Sequence, residues 1–279
     1  MPAEDPRSAR HVKLEIAYDG TDFHGWQAQS GCRTVEGVLE AVLEGLEGAP
    51  VDVTGASRTD KGVHALGQAA CFPSRTRIPP ERYRDALNGR LPADVRVTRS
   101  EQVDESFHAR HSAVGKCYRY LIDRQLVPNV LQSRYALHVE GRLDLDQMRE
   151  AALHFVGEKD FAAFQCESGQ APATTVRRVD AVLFFERGPY LSTEVWGRSF
   201  LYKMVRTMVG TLLEVGRGKW PPGRVAEAIQ SLDRSRSGPT APAHGLTLVS
   251  VHYDDEAWRR SVAARVDGDF DPGYHAVTI

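Results

Sequence analysis

Arg58, Asp60 and Lys61 crowd into one compact polar turn, GASRTDKGVHALGQ (55–68). A carboxylate that serves as a nucleophile must stay ionised and lightly solvated. Burial favours its neutral form and a nearby cation favours its charged form, so an Arg close to the Asp is chemically apt. Gly62 would let the backbone approach a ligand closely. Taken alone, RTDKG also fits an ordinary surface turn, because Asp, Gly, Ser and Thr favour turns for purely local reasons.

The elements that must position this turn are legible from periodicity. Val12, Leu14 and Ile16 alternate with Lys13 and Glu15, the period of a half-buried strand that should end at YDGT. Residues 34–47 carry Val35, Val38, Leu39, Val42, Leu43 and Leu46 at helical spacing, with Thr34 as cap. Residues 67–72 read as a strand closed by Pro73, and 80–90 as a short helix. KCYRYLI (116–122) is a strand by its aromatic and β-branched content, and 144–157 looks helical. Residues 181–186 and 190–200 suggest a hairpin turning at ERGP. Leu201, Met204, Val205, Met208, Val209 and Leu212 predict an amphipathic helix ended by Gly216. LTLVSVHY (246–253) is the last strong strand, and residues 233–245 are the most loop-like interior segment. Strands and helices interleave without a βαβ rhythm, which predicts an α+β fold with mainly antiparallel sheet.

The chain has 279 residues, 42% hydrophobic and 26% charged, as in a globular protein with one large or two ordinary domains. No stretch is apolar enough to cross a bilayer, and MPAEDPRSAR lacks the apolar segment of a secretion signal. Both features predict a cytoplasmic protein. Cys32, Cys71, Cys117 and Cys166 are widely separated and form no CxxC pair, so neither a zinc site nor a disulfide framework is expected. No Cys or acidic residue nearby completes a metal set around His108 and His111, and no metal role is expected of them. Net charge is −2, yet residues 58–119 hold twelve Lys/Arg against seven Asp/Glu, and residues 196–236 eight against three, +5 each. If the two regions meet, they make a basic cleft suited to phosphates; charge alone fits scattered, solvated surface groups equally.

Five segments, in order, raise the turn above its local reading. The loop at 55–68 resembles the (S/G)RTD(A/K)GVHA signature of the TruA family of tRNA pseudouridine synthases. YDGTDFHGWQAQ (18–29) is similar to that family's first motif, and SFHARHSAVGKCYRYLI (106–122) to its FxARxSAxxKxYxYxI stretch. FLYKMVRTMVGTLLEVGRGK (200–219) resembles its FLxxMVRxxVGxLLxVGxGK helix, and APAHGLTLVSVHY (241–253) its closing strand. Departures are Lys61 where Ala is frequent, His111 for a usual Phe, and Ala243 and His244 where Pro and Gln are frequent. They bear on substrate range and local packing more than on the reaction.

The resemblance implies roles residue by residue. Asp60 falls on the catalytic aspartate, as nucleophile or base. Arg58 falls on the loop Arg that assists base flipping or meets RNA phosphates, and Arg206 on the helix Arg that pairs with the carboxylate. Tyr118 falls on the Tyr that packs against the target uracil, where an aromatic face supports a flipped base and a phenol can position a proton. Leu248 falls on the apolar residue lining the uracil pocket. Lys61, Arg110, Lys116 and Lys203 are candidates for phosphate contacts, which anchor RNA without reading its sequence. Phe23, His24 and Trp26 fit either the cleft or the core.

It also implies two RRM-like (ferredoxin-like) α+β subdomains around a basic central cleft, at 11–110 and 111–254, followed by an acidic tail at 255–279. The implied partner is tRNA, bound across a homodimer and modified at uridines 38, 39 and 40 of the anticodon stem-loop. Isomerisation of uridine to pseudouridine needs no redox change or group donor, so no cofactor is expected, in keeping with the absence of GxGxxG and P-loop motifs. A non-catalytic RNA-binding or tRNA-folding protein would keep the basic cleft without needing Asp60. A metal-dependent RNA hydrolase would need clustered ligands that the sequence lacks.

Overall fold

In the computed structural model, residues 10–167, 169 and 172–268 are described. Among these described residues, ten strands form one sheet: β1 (Arg10–Tyr18), β2 (Thr54–Gly55), β3 (His64–Ser74), β4 (Val95–Val103), β5 (Gly115–Asp123), β6 (Leu137–His138), β7 (Gly157–Asp160), β8 (Val176–Arg187), β9 (Tyr190–Gly197) and β10 (Leu246–His252). Six α-helices accompany them: α1 (Val35–Glu47), α2 (Tyr83–Asn88), α3 (Leu145–Leu153), α4 (Met204–Gly216), α5 (Arg224–Ser231) and α6 (Asp255–Val266). The sheet order is β4-β1-β3-β10-β5-β9-β8-β7, with β2 on β3 and β6 on β5. Only the β3–β10 and β5–β6 pairings are parallel. The fold is therefore mixed α/β with one large, mainly antiparallel sheet, and that sheet runs unbroken past residue 110.

The predicted elements form for the predicted reasons. Val12, Leu14, Ile16 and Tyr18 bury one face of β1. In α1, Thr34 Oγ1 accepts from Gly37 N, Val35, Leu39 and Leu43 are buried, and Gly48 ends the helix at φ 74°. Asp144 caps α3 by accepting from Gln147 N. β8 and β9 make the hairpin expected at ERGP, with Gly188 at φ 56°. Pro73 does not close β3, which pairs through it with His11 on β1 as far as Ser74.

A further expectation needs correction. The helix predicted as amphipathic is enclosed on all sides: every residue of α4 except Arg206 is buried. The loop-like segment 233–245 supplies part of that cover. A Cβ on Gly210 would lie 1.7 Å from the Pro239 carbonyl oxygen, so only glycine permits this approach. The described part of the expected acidic tail, 255–268, is largely the helix α6. Trp258 is buried against Cys117, Ala181 and Trp196, and Arg265 forms a buried ion pair with Glu194. The remainder of that tail, residues 269–279, lies outside the described residues, as do residues 1–9 of the N-terminal segment. Among the described residues, no helix is long and apolar enough to cross a membrane.

Candidate active site

The turn 56–62 links β2 to β3 and is tied at successive points. Ala56 N donates to Ala69 O at 2.7 Å, and Val63 N to Asp60 O at 3.1 Å. The segment 18–29 packs behind it, with Phe23 and Trp26 buried. Trp26 N donates to Thr59 O at 3.1 Å and Gly62 N to Phe23 O at 3.3 Å. Gly25, at φ 96°, is required because a Cβ there would come within 2.6 Å of Thr59 O. Gly62, at φ 79°, completes the turn.

This framework brings Asp60 to Arg206 across 146 positions of sequence. Arg206 lies in the first turn of α4, where side chains lean back toward the helix N-terminus. Its Nη1 donates to Asp60 Oδ2 at 2.6 Å, and its Nε donates to Ala241 O at 2.7 Å. Ala241 N in turn donates to Arg206 O at 3.0 Å, so the loop 233–245 holds the guanidinium in place. The two side chains are only 13% and 14% exposed. Among the described residues, no donor reaches Asp60 Oδ1.

Tyr118, on β5, stands beside this pair. Its hydroxyl is 2.6 Å from Ser57 Oγ. Burial, and then the negative charge of Asp60, push the phenol up to about 12, so it is a neutral hydrogen-bonding group at physiological pH. Phe200 meets its ring edge-on at 5.3 Å. These groups border a cleft of about 1410 Å³. Arg58, Lys61, Arg110, Lys116, Arg177, Arg198, Lys203 and Arg206 line it, against Asp60 and Glu167 alone among the acids.

The other expected site residues divide. Arg58 is exposed on the cleft wall with no hydrogen-bond partner among the described residues. Lys61 and Arg110 are exposed on the same wall. Lys61 Nζ lies 3.2 Å from His24 Nε2. Lys203, left-handed at φ 59°, precedes α4 and holds its ammonium 4.8 Å over the Tyr202 ring. Lys116 differs: it is buried beneath the turn, donating to Ala56 O at 2.7 Å. Burial and then Arg110 bring it down to about 8. Its ammonium supports the loop backbone, whereas Lys61 and Arg110 are exposed. Leu248 is fully buried between Ala65 of β3 and Tyr118 of β5 and does not border the cleft. Leu246, two residues earlier on the same face of β10, does.

Sequence reasoning gave no role to Ser57, Phe200, Leu246 or Arg177. Three of them stand inside or beside segments that had been singled out. Their signal was alternation, since Leu246 shares a face with Leu248 and Ser57 precedes Arg58. Arg177, on β8, carried no signal. Among the described residues, no group of three or more His, Cys, Asp or Glu side chains could hold a metal ion.

Comparison with known proteins shows the family of the chain. The sequence profile of the tRNA pseudouridine synthase family matches residues 16–112 and 151–254. The chain belongs to this family, whose enzymes isomerise uridine in tRNA. Within it, the chain is 47% identical over 244 residues to a tRNA pseudouridine synthase A of Acetivibrio thermocellus, covering 88% of this chain and 100% of that protein. It is 43% identical to the synthases of the same name from Ruminiclostridium cellulolyticum and Bacillus pumilus, covering 88% of this chain and 100% and 99% of theirs. Likeness to a solved Cbf5–Nop10–Gar1 complex is slight, with a TM-score of 0.34 and 12% identity over 91% of this chain and 66% of that one.

Proposed function

We propose that this enzyme converts uridines of the tRNA anticodon stem-loop, at positions 38, 39 and 40, to pseudouridine, with Asp60 as nucleophile or base. The N1–C1′ glycosidic bond breaks, the uracil turns, and a carbon–carbon bond forms between C5 and C1′; C5 loses its proton to solvent and N1 gains one. The observation that carries this reading is the Asp60–Arg206 pair at the edge of a cation-lined cleft, beside a neutral Tyr118 phenol. Arg206 supplies a counter-charge at one carboxylate oxygen and leaves the second for the substrate. Arg58, exposed and without a partner among the described residues, enters the space vacated by the flipped base or meets its phosphate. Tyr118 on one side and Leu246 on the other suit an apolar slot for the uracil. Lys61, Arg110 and Lys203 suit the RNA backbone.

Two RRM-like subdomains around this basic cleft belong to the same reading. Strands β1, β2, β3 and β4 with α1 and α2 follow the order βαββαβ and lie in the sheet as fourth-first-third-second. Strands β5, β8, β9 and β10 with α3 and α4 repeat both the order and the arrangement. We further propose a homodimer acting in the cytoplasm, with tRNA spanning both subunits.

The test is Asp60→Asn. Tritium release from 5-tritiated uridine in unmodified tRNA should fall below about one-thousandth of the parent rate, while tRNA binding persists. Equal turnover by the two proteins would overturn the assignment.

A further inference from the structure

Gln68 is fully buried on β3, and its side-chain amide grips a single residue of the catalytic turn. Its Oε1 accepts from Ser57 N at 3.1 Å, and its Nε2 donates to Ser57 O at 2.6 Å. The two bonds fix which end of the amide is oxygen, because the opposite orientation would set donor against donor and acceptor against acceptor. Nε2 also approaches the Tyr18 hydroxyl at 3.5 Å, and that hydroxyl is 2.7 Å from Thr59 Oγ1. Ser57 Oγ meets Tyr118, and Lys116 holds Ala56 O from below.

Ala56, Ser57, Thr59 and Asp60 are thus each held by a buried or half-buried group, whereas Arg58, at the centre of the run, extends into the cleft. A buried polar network in which every member is satisfied is rigid, and deleting one member leaves unpaired groups in a low-dielectric interior. Ser57 stands at the junction between the Tyr118 phenol and the backbone that carries Arg58 and Asp60. Whatever sets Ser57 therefore sets the spacing between the base-stacking ring and the carboxylate.

We infer that Gln68 is a positioning residue for pseudouridine formation, acting through Ser57 to hold Tyr118, Arg58 and Asp60 in their reactive arrangement. This rests on the reaction proposed above. Gln68 touches no substrate, so its loss should lower turnover and leave tRNA affinity nearly intact. Mispositioning of this kind costs about a hundred-fold in rate.

The experiment uses two variants alongside the parent, each assayed by tritium release from 5-tritiated tRNA. Gln68→Leu keeps the volume and removes both hydrogen bonds; kcat should fall about a hundred-fold with KM for tRNA within about two-fold of the parent. Gln68→Glu separates positioning from packing. A protonated carboxyl can accept from Ser57 N and donate to Ser57 O, whereas a carboxylate would face the Ser57 carbonyl with no proton to share. Its kcat relative to the parent should therefore rise as pH falls from about 8 to about 5.5, the range in which a buried Glu takes up its proton. The titratable groups facing this site are the Tyr18 and Tyr118 phenols, the Lys116 ammonium and the Asp60 carboxylate. All are present in the parent, so the ratio cancels them. If Gln68→Leu fails to fold, the Gln68→Glu ratio decides. A parental kcat in Gln68→Leu, or a ratio that stays flat with pH, overturns the role of Gln68. Absence of product from the parent itself would instead overturn the reaction.

Discussion

Two carboxylate–arginine pairs in this molecule are built oppositely. Glu194 and Arg265 are each 5% exposed. Arg265 Nε donates to Glu194 Oε2 at 2.9 Å and Nη2 to Oε1 at 2.8 Å, and Trp196 Nε1 adds a third bond at 3.1 Å. The Phe185 ring covers the guanidinium at 3.9 Å. Both carboxylate oxygens are engaged. At Asp60 the guanidinium divides its bonds, Nε to Ala241 O and Nη1 to Asp60 Oδ2, and among the described residues only Oδ2 of the carboxylate is bound. The first pair fastens α6 to the sheet. In the second, Asp60 lines the cleft and its Oδ1 has no donor among the described residues, the arrangement that the proposed nucleophile or base needs. The backbone carbonyl at 241 takes the nitrogen that would otherwise be free for a second bond to the carboxylate.

Three measurements break or sharpen this contrast. Arg206→Ala should lower single-turnover rate by about a thousand-fold, on the order of 4 kcal/mol of transition-state stabilisation, with a smaller effect on tRNA binding; an unchanged rate would remove Arg206 from the chemistry. Glu194→Ala should do the reverse. It removes a buried carboxylate that accepts from two Arg265 nitrogens and from Trp196, and should lower unfolding free energy by about 3 kcal/mol, read by urea titration, while the folded fraction turns over normally. If both variants lost rate and stability alike, the two pairs would not differ in kind.

Lys116 supplies the third case, a buried cation with no carboxylate partner among the described residues. Its folded-state value of about 8 lies below that of an exposed lysine. The unfolded chain therefore holds the proton over a range in which the folded protein has released it, and stability rises with pH through that range. Between about pH 7.5 and about pH 9.5 the parent should gain on the order of 2 kcal/mol relative to Lys116→Met. A constant difference in urea midpoint would show that Lys116 does not titrate there.

Much of this was legible in advance where the signal is local. Thr34 announced α1, ERGP announced the β8–β9 hairpin, and the RTD turn announced Asp60. What stayed hidden depends on what lies opposite. The apolar stripe of α4 is real, but nothing local to it reveals that the loop 233–245 covers its other side. Lys116 looked like a phosphate ligand because a strand sequence does not say which face carries a turn above it. Leu246 and Leu248 share a face of β10, and only the neighbours of that strand determine which one meets the cleft. Gln68 gave no signal, since a lone amide in a strand becomes meaningful only once Ser57 is seen beside it.

β10, formed by residues 246–252, is inserted between β3 and β5 and, among the described residues, is the only strand joining the two sides of the sheet. During synthesis from the N-terminus, Asp60 and Tyr118 emerge long before the strand that brings them into register. Until then the stretches of β3 and β5 that β10 pairs lack that partner, and such edges are surfaces on which chains associate wrongly. A product cut short before residue 246 would contain Asp60 and Tyr118 without the strand that sets them side by side.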